Sequence, residues 1–389
     1  MLPDSVNVMR MRMKDMINII KRVFQLFRRG QKGTDVYRGT VPLVPFLLAV
    51  VLLAGCSRKE PVNQESREPE KEHIVIGFSQ LGAESDWRSA NSESMRGAFS
   101  KENGYELIFE DGQQKQANQI MAIRTFIQQE VDYIVLAPVT ETGWDTVLQE
   151  AKEANIPVII VDRMVQVEDD SLFTCWVGSD FELEGRKVAE WLNQYTKEQG
   201  IAPEDIHIVN IQGTLGGSAQ IGRTNGLREA AKANGWDLMA EVSGEFTQTK
   251  GKEVMQSFLR KYHNINVVYC ENDNEALGAI EAIEAAGKTV GPNIMDGEIM
   301  VLSFDGVRGE AMQYVTEGKI LCIGECNPLH GPRVRAIIEQ LENGKQPEKL
   351  SYVDEGMYVY DTAVDSVIVD KVVYPVTVVT QELLKQREY

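Results

Sequence analysis

Short apolar runs, each bounded by turn residues, recur along the chain from residue 74: IVIGFSQ (74–80), YIVLAP (133–138), PVIIVDR (157–163), IHIVNIQG (206–213), VVYCEND (267–273) and IMVLSFDG (299–306). Continuous runs without polar alternation are the mark of strands covered on both faces. Between them the spacing turns helical: 116–129 sets Ile120, Ile123 and Ile127 on one face, and 181–195 does the same with Leu183, Val188 and Leu192. Strand and helix alternating in this way predict right-handed βαβ units and a parallel, doubly wound sheet. The pattern runs twice, over roughly 74–163 and again over 206–306, with a bridge near Thr174 to Asp180 that lacks a long helix. The expected fold class is therefore α/β, with two doubly wound, Rossmann-like lobes and a cleft between their strand ends.

Ahead of this pattern lies a different one. Val41 to Ala54 is apolar, ends in Leu53-Ala54-Gly55-Cys56, and gives way to a polar stretch rich in Pro and Glu. Its length, about 15 residues, is short of the roughly 20 that a membrane-spanning helix needs and suits the apolar region of a signal peptide. Nine Lys/Arg against three Asp/Glu in residues 1–40 supply the positive flank expected on the cytoplasmic side. The arrangement resembles a bacterial lipoprotein signal, in which 1–55 is the signal peptide and Cys56 becomes the lipid-bearing N-terminus. Residues 56–72, charged and without apolar periodicity, then read as a disordered tether. An uncleaved anchor helix is the other reading of 41–54. Both readings put the folded part outside the cytoplasm, and Met9, Met11, Met13 and Met16 are alternative starts.

Composition narrows the function classes. The chain carries 40 Lys/Arg against 58 Asp/Glu, and without residues 1–40 the balance is 31 against 55, about −24. So acidic a surface argues against nucleic acid and against a second electrostatic contact with a membrane. The cysteines other than Cys56 are Cys175, Cys270, Cys322 and Cys326, with no CxxC pair and only four His in the chain. That excludes a zinc constellation and leaves buried free thiols as the expectation.

Candidate chemistry lies at the strand ends. In an open parallel sheet, ligands bind beyond the carboxyl ends of the strands. After the first strand come Glu84, Ser85, Asp86, Trp87 and Arg88; 157–163 ends in Asp162-Arg163; 206–213 leads through Gly213 to Arg223. Later ends supply Asn272-Asp273, Asp305-Gly306 and Glu325. Hydroxyl-rich ligands need this mixture: carboxylates accept from hydroxyls, Arg and Asn donate in planar geometry, and an aromatic face covers the C–H side of a ring. A single strand-end Asp is as readily a helix N-cap. Six polar strand ends converging on one cleft is the stronger signal.

Specific segments carry a resemblance: GFSQLGAESDWRSAN (77–91), EDGQQKQANQIMAIRTFI (110–127), APVTETGWDTVLQEAKEANIPVIIVDR (137–163), VNIQGTLGGSAQIGRTNG (209–226), FTQTKGKEVMQSFL (246–259) and ENDNEALGAIEAI (271–283). They resemble the sugar-binding proteins of ABC importers, most of all the galactofuranose-binding branch related to ribose-binding proteins, over about 74–350. The resemblance implies a type I periplasmic-binding-protein fold with a three-crossing hinge, closure around one monosaccharide, and docking on an ABC permease and its ATPase. It places Arg88, Asp162, Arg163, Arg223, Asn272 and Asp305 at family ligand positions and Trp87 at the family's aromatic position. Glu325 is assigned more loosely, because Cys322 to Cys326 departs from the family pattern. The implied layout is a first lobe of 73–178 plus about 327–358, a second lobe of 179–326, and an extension, 359–389, without an assigned place. No cofactor, no catalytic residue and no metal are implied, and the expected state is a monomer anchored to the membrane through lipidated Cys56.

Other features stay open or point elsewhere. Gly213 to Ser218 looks like a phosphate cradle but lacks the Lys-Ser/Thr of a P-loop, and reads better as a close turn into the helix carrying Arg223. Trp144 is either core packing or cleft wall, and Arg88 either a sugar donor or a salt-bridge partner of Glu84. Asp111 and Gln113 are loop organisers or support for the site. A sensor presenting its closed form to a membrane kinase or chemoreceptor would use the same fold. Asp162 and Asp305 as a glycosidase carboxylate pair is a third reading, and a repressor effector domain is disfavoured by the export signal in place of a helix-turn-helix.

Overall fold

Each predicted apolar run becomes a buried strand. The computed structural model describes residues 73–307 and 309–389; the leader, Cys56 and the tether fall outside these residues. The first series is β1 (Ile74–Gln80), α1 (Asp86–Ala98), β2 (Tyr105–Asp111), α2 (Gln116–Gln128), β3 (Tyr133–Leu136), α3 (Asp145–Glu153), β4 (Val158–Val161) and β5 (Cys175–Gly178). The second is α4 (Phe181–Glu198), β6 (His207–Gln212), α5 (Ser218–Asn234), β7 (Asp237–Ser243), α6 (Gln248–Lys261), β8 (Val267–Cys270), α7 (Asp273–Ala285), β9 (Met300–Asp305), α8 (Glu310–Thr316) and β10 (Cys322–Glu325). The tail adds α9 (His330–Glu342), β11 (Leu350–Tyr352), β12 (Met357–Val359), a β13–β14 hairpin (Ser366–Val369, Val372–Pro375), β15 (Thr377–Val378) and α10 (Gln381–Gln386).

Two sheets result. The first runs β11-β5-β4-β3-β1-β2 and is parallel throughout; the second runs β15-β12-β10-β9-β8-β6-β7. In the second only β12 opposes its neighbour β10, with Cys322 facing Val359. Each sheet is covered on both faces by apolar clusters, which is why its strands read as unbroken runs. The α/β, doubly wound class expected from the pattern is the observed one. Among the described residues, no helix is long and apolar enough to cross a membrane.

The chain passes between the sheets at 179–180, 326–329 and 353–356. The last crossing differs from the expected layout: a first lobe running to about 358 would include Met357, which already pairs with Gly324 of the second sheet. Met357 and Val359 are fully buried there, so side-chain burial sets the crossing earlier. Residues 359–389 lie with the second sheet, β15 extending it beside β12 and the hairpin packing on α4.

The cysteines Cys175, Cys270, Cys322 and Cys326 are free and buried. Trp144 is core: it is fully buried with the first lobe's apolar cluster and donates Nε1–H to the Thr140 carbonyl at 2.7 Å.

Candidate functional site

The parallel strands end on one side of each sheet, and the helices that follow begin there. Ser85 caps α1, accepting from the Arg88 amide at 3.2 Å, and Asn272 caps α7, accepting from the Glu275 amide at 2.8 Å. Such caps fix the first helical turn and aim its dipole at the cleft. A cavity lies between the lobes, lined by Glu84, Ser85, Trp87, Arg88, Asp162 and Arg163 from the first, and by Phe181, Ala219, Arg223, Phe246, Asn272 and Asp305 from the second, with Cys326 at the crossing.

Eight of the nine sequence-derived residues meet in this cavity. Each lobe contributes an Arg–Asp pair of the same design. In the first, Arg88 Nη2 donates to Asp162 at 2.7 Å and Nε to Glu84 at 3.3 Å; in the second, Arg223 Nη2 donates to Asp305 at 3.2 Å and Nε to Glu184 at 2.8 Å. Both aspartates sit in the left-handed backbone region, Asp162 at φ 62° and Asp305 at φ 97°, a strained conformation held at functional strand ends by its surroundings. The Glu84–Arg88 bridge foreseen as an alternative to sugar binding is present, yet Arg88 Nη1, Glu84 Oε2 and Arg163 Nε are buried without a protein partner. Arg163 spends one N–H on the Val139 carbonyl at 3.0 Å and lies 5.0 Å from the Phe246 ring centre. Arg88 lies 4.5 Å from that of Trp87.

The two carboxylates differ electrostatically. Burial works against the charge of Asp162, but Arg88 and Arg163 outweigh it and hold the carboxyl below its usual range. For Asp305 burial wins: Arg223 is shared with Glu184, Asp273 lies close, and the carboxyl is pushed up. The first lobe thus presents a firm acceptor, while the second presents a carboxyl that holds a proton more readily.

Glu325 does not join the cavity. Its carboxylate accepts from the Gly356 amide at 2.8 Å, from Tyr358 at 2.7 Å and from Tyr389 at 2.5 Å, and pairs with Arg387 at 3.4 Å. Alternation along the strand turns it away, and the next residue, Cys326, lines the cavity instead. Ser85, named after the first strand, lines it as well, and Phe181, Phe246 and Ala219 line it without having been among the sequence candidates.

The lobes meet across the cavity mouth. The Asp86 amide donates to Asn274 Oδ1 at 3.0 Å, Trp87 Nε1–H to the Cys326 carbonyl at 2.7 Å, and the Met164 amide to Ser218 Oγ at 2.9 Å. The Glu141 amide reaches the Gly216 carbonyl at 2.9 Å. The glycine-rich 213–218 turn is thus a latch against the first lobe. The Asp111 carboxylate accepts from the Gln113 amide at 2.7 Å, and neither residue lines the cavity.

A family model described as periplasmic binding protein domain matches residues 76–325. The galactofuranose-binding protein YtfQ of Escherichia coli is 41% identical over 295 residues, covering 75% of this chain and 89% of that one. Among solved structures, a galactofuranose binding protein superposes with TM-score 0.69 at 39% identity, covering 75% of this chain and 96% of that one. The periplasmic binding component of the arabinose ABC transporter from Shewanella sp. ANA-3, bound to alpha and beta-L-arabinofuranose, does so with TM-score 0.68 at 41% identity over 74% and 93%.

Proposed function

The chain belongs to the periplasmic-binding-protein family, and we propose that it captures one galactofuranose- or galactose-like monosaccharide between its lobes and delivers it to an ABC import permease. Its relatives are substrate-binding proteins, not enzymes, and Asp162 and Asp305 are each tied to an arginine of their own lobe rather than posed as a hydrolytic pair. The family carries an extracytoplasmic location. Lipidation at Cys56, after Leu53-Ala54-Gly55, would hold the receptor to the membrane as a monomer.

The observation that carries the reading is the convergence of Arg88, Asp162 and Arg163 with Arg223, Asn272 and Asp305 on one cavity walled by Trp87 and Phe246. Sugar hydroxyls satisfy the unpartnered polar atoms of Arg88, Arg163 and Glu84 through charge-assisted hydrogen bonds. An aromatic wall covers the ring's C–H face. Since only the closed state touches the ligand from both lobes, binding shifts the population toward closure.

Thermal unfolding against a panel of pentoses, hexoses and galactofuranosides tests this. A ligand at about 100 times its dissociation constant adds about 2.7 kcal/mol, enough to raise the melting temperature by several degrees. A shift confined to one sugar class names the ligand. A flat panel from a cooperatively melting sample counts against a sugar receptor.

A further inference from the structure

The three chain crossings converge on one carboxyl group. Glu355, on the third, accepts at Oε1 from the Ser179 hydroxyl of the first at 2.8 Å and from the Asn327 amide of the second at 2.6 Å. Its backbone carbonyl accepts from Lys187 Nζ of α4 at 2.8 Å. Glu184, in the first turn of α4, holds Arg223 through Oε2, while its Oε1 is buried with no N–H or hydroxyl donor. A carboxyl oxygen of Glu355, one of Glu184 and Cys326 Sγ all lie within 4.8 Å of one another. Glu184 is 1% exposed and Glu355 9%.

Two buried carboxyls this close do not readily ionise together. With Glu355 Oε1 occupied twice as an acceptor, a proton on its other oxygen supplies the donor that Glu184 Oε1 lacks. We propose that Glu355 and Glu184 share one proton, and that this pair is the positioning element that ties the hinge to Arg223 and couples ligand affinity to pH. The proposal rests on the reading of the cleft as a sugar site. A bound cation is not needed there: Lys187 on α4, Arg223 on α5 and Arg333 on α9 already surround the pair with positive charge. The Cys326 thiol faces it too, kept protonated by burial, and Asp305 on β9 adds negative charge that makes loss of the shared proton costlier.

Burial lifts both carboxyls above their usual range, Glu355 the further. A group whose folded-state pKa is raised contributes stability that is complete below its unfolded value and is lost as pH rises through the folded one. Closure, which keeps water from the pair, is therefore favoured at low pH and weakens above the ordinary carboxylate range. With one proton linked, affinity falls by at most tenfold per pH unit.

The test is calorimetric titration of the protein with D-galactose and with methyl β-D-galactofuranoside from about pH 6 to about pH 9. Wild-type affinity is expected to fall several-fold over this range, with a binding heat that depends on the buffer. Glu355→Gln, whose amide donates permanently to Glu184, is expected to flatten the profile. Glu355→Ala is expected to weaken binding at least tenfold at every pH by freeing Glu184 and Arg223. A wild-type slope retained in Glu355→Gln, or equal losses in the two variants, overturns the proposal. If neither sugar binds, the sugar reading has failed, and the shared proton is judged by infrared difference spectra of sugar-free wild type against Glu355→Gln at neutral pH. A carboxylic-acid C=O band present only in wild type supports it, and no such band overturns it.

Discussion

At the residue scale the site is two copies of one device, an arginine and a left-handed aspartate at a strand end, facing each other across the cleft. Arg163 is the first lobe's additional donor, buried yet spending only one N–H on the protein backbone. Its replacement by Ala is expected to weaken sugar binding at least tenfold while the protein still melts cooperatively; unchanged affinity by calorimetry would remove Arg163 from the site. Losing one buried hydroxyl partner costs about 1–3 kcal/mol, which is that factor or more. Most of these residues were legible because the strand-end rule needs only strands and polar residues after them. Glu325 was misplaced because residue type says nothing about which way a strand's last side chain turns. Phe246 was not legible because β7, whose end it follows, is only partly buried and carries no unbroken apolar run to mark it as a strand. Phe181 was not legible because it opens α4 directly after the first crossing, where it reads as the start of a helix rather than as a strand end.

At the element scale, α4 and α5 bring Glu184 to Arg223 by approaching almost backbone to backbone. A Cβ at Gly222 would lie 2.6 Å from the Glu182 nitrogen, and one at Gly226 2.6 Å from the Arg186 nitrogen. Gly222→Ala is expected to push the helices apart, costing about 1–3 kcal/mol of stability as overpacking does, and to weaken binding through the displaced Arg223. Chemical denaturation and calorimetry would each register it. The tail is the element the sequence could not place: its strands are two to four residues long, too short for periodicity to identify a partner. In the structure Arg387 donates to the Gly306 carbonyl at 2.5 Å and pairs with Glu325, strapping the loop after β9 to the last crossing. Burial opposes charge on Glu325, but bonds from Tyr389, Tyr358 and Gly356, together with Arg387, hold its carboxyl below the usual range. That stabilisation is present above the unfolded carboxyl pKa and is lost as pH falls through the folded one. Removing residues 387–389 is therefore expected to lower the melting temperature at neutral pH and to matter progressively less toward acid. An equal deficit at every pH would show that the strap acts by packing alone.

At the scale of the whole molecule, hydrogen bonds from both lobes close the cavity mouth, so the structure is that of the closed receptor. The overall architecture was the most legible feature, since two runs of buried strands and amphipathic helices leave few topologies. The exact third crossing was not legible, because it depends on whether Met357 finds a partner in the second sheet rather than on any turn residue. The account's central claim is that closure encloses one monosaccharide. Its most direct test is calorimetric titration of the protein with D-galactose, L-arabinose and methyl β-D-galactofuranoside at several temperatures. The account predicts saturation at one sugar per chain, with a negative heat-capacity change from the surface buried on closure. Absence of saturable heat with every sugar, from a protein that still unfolds cooperatively, would contradict it.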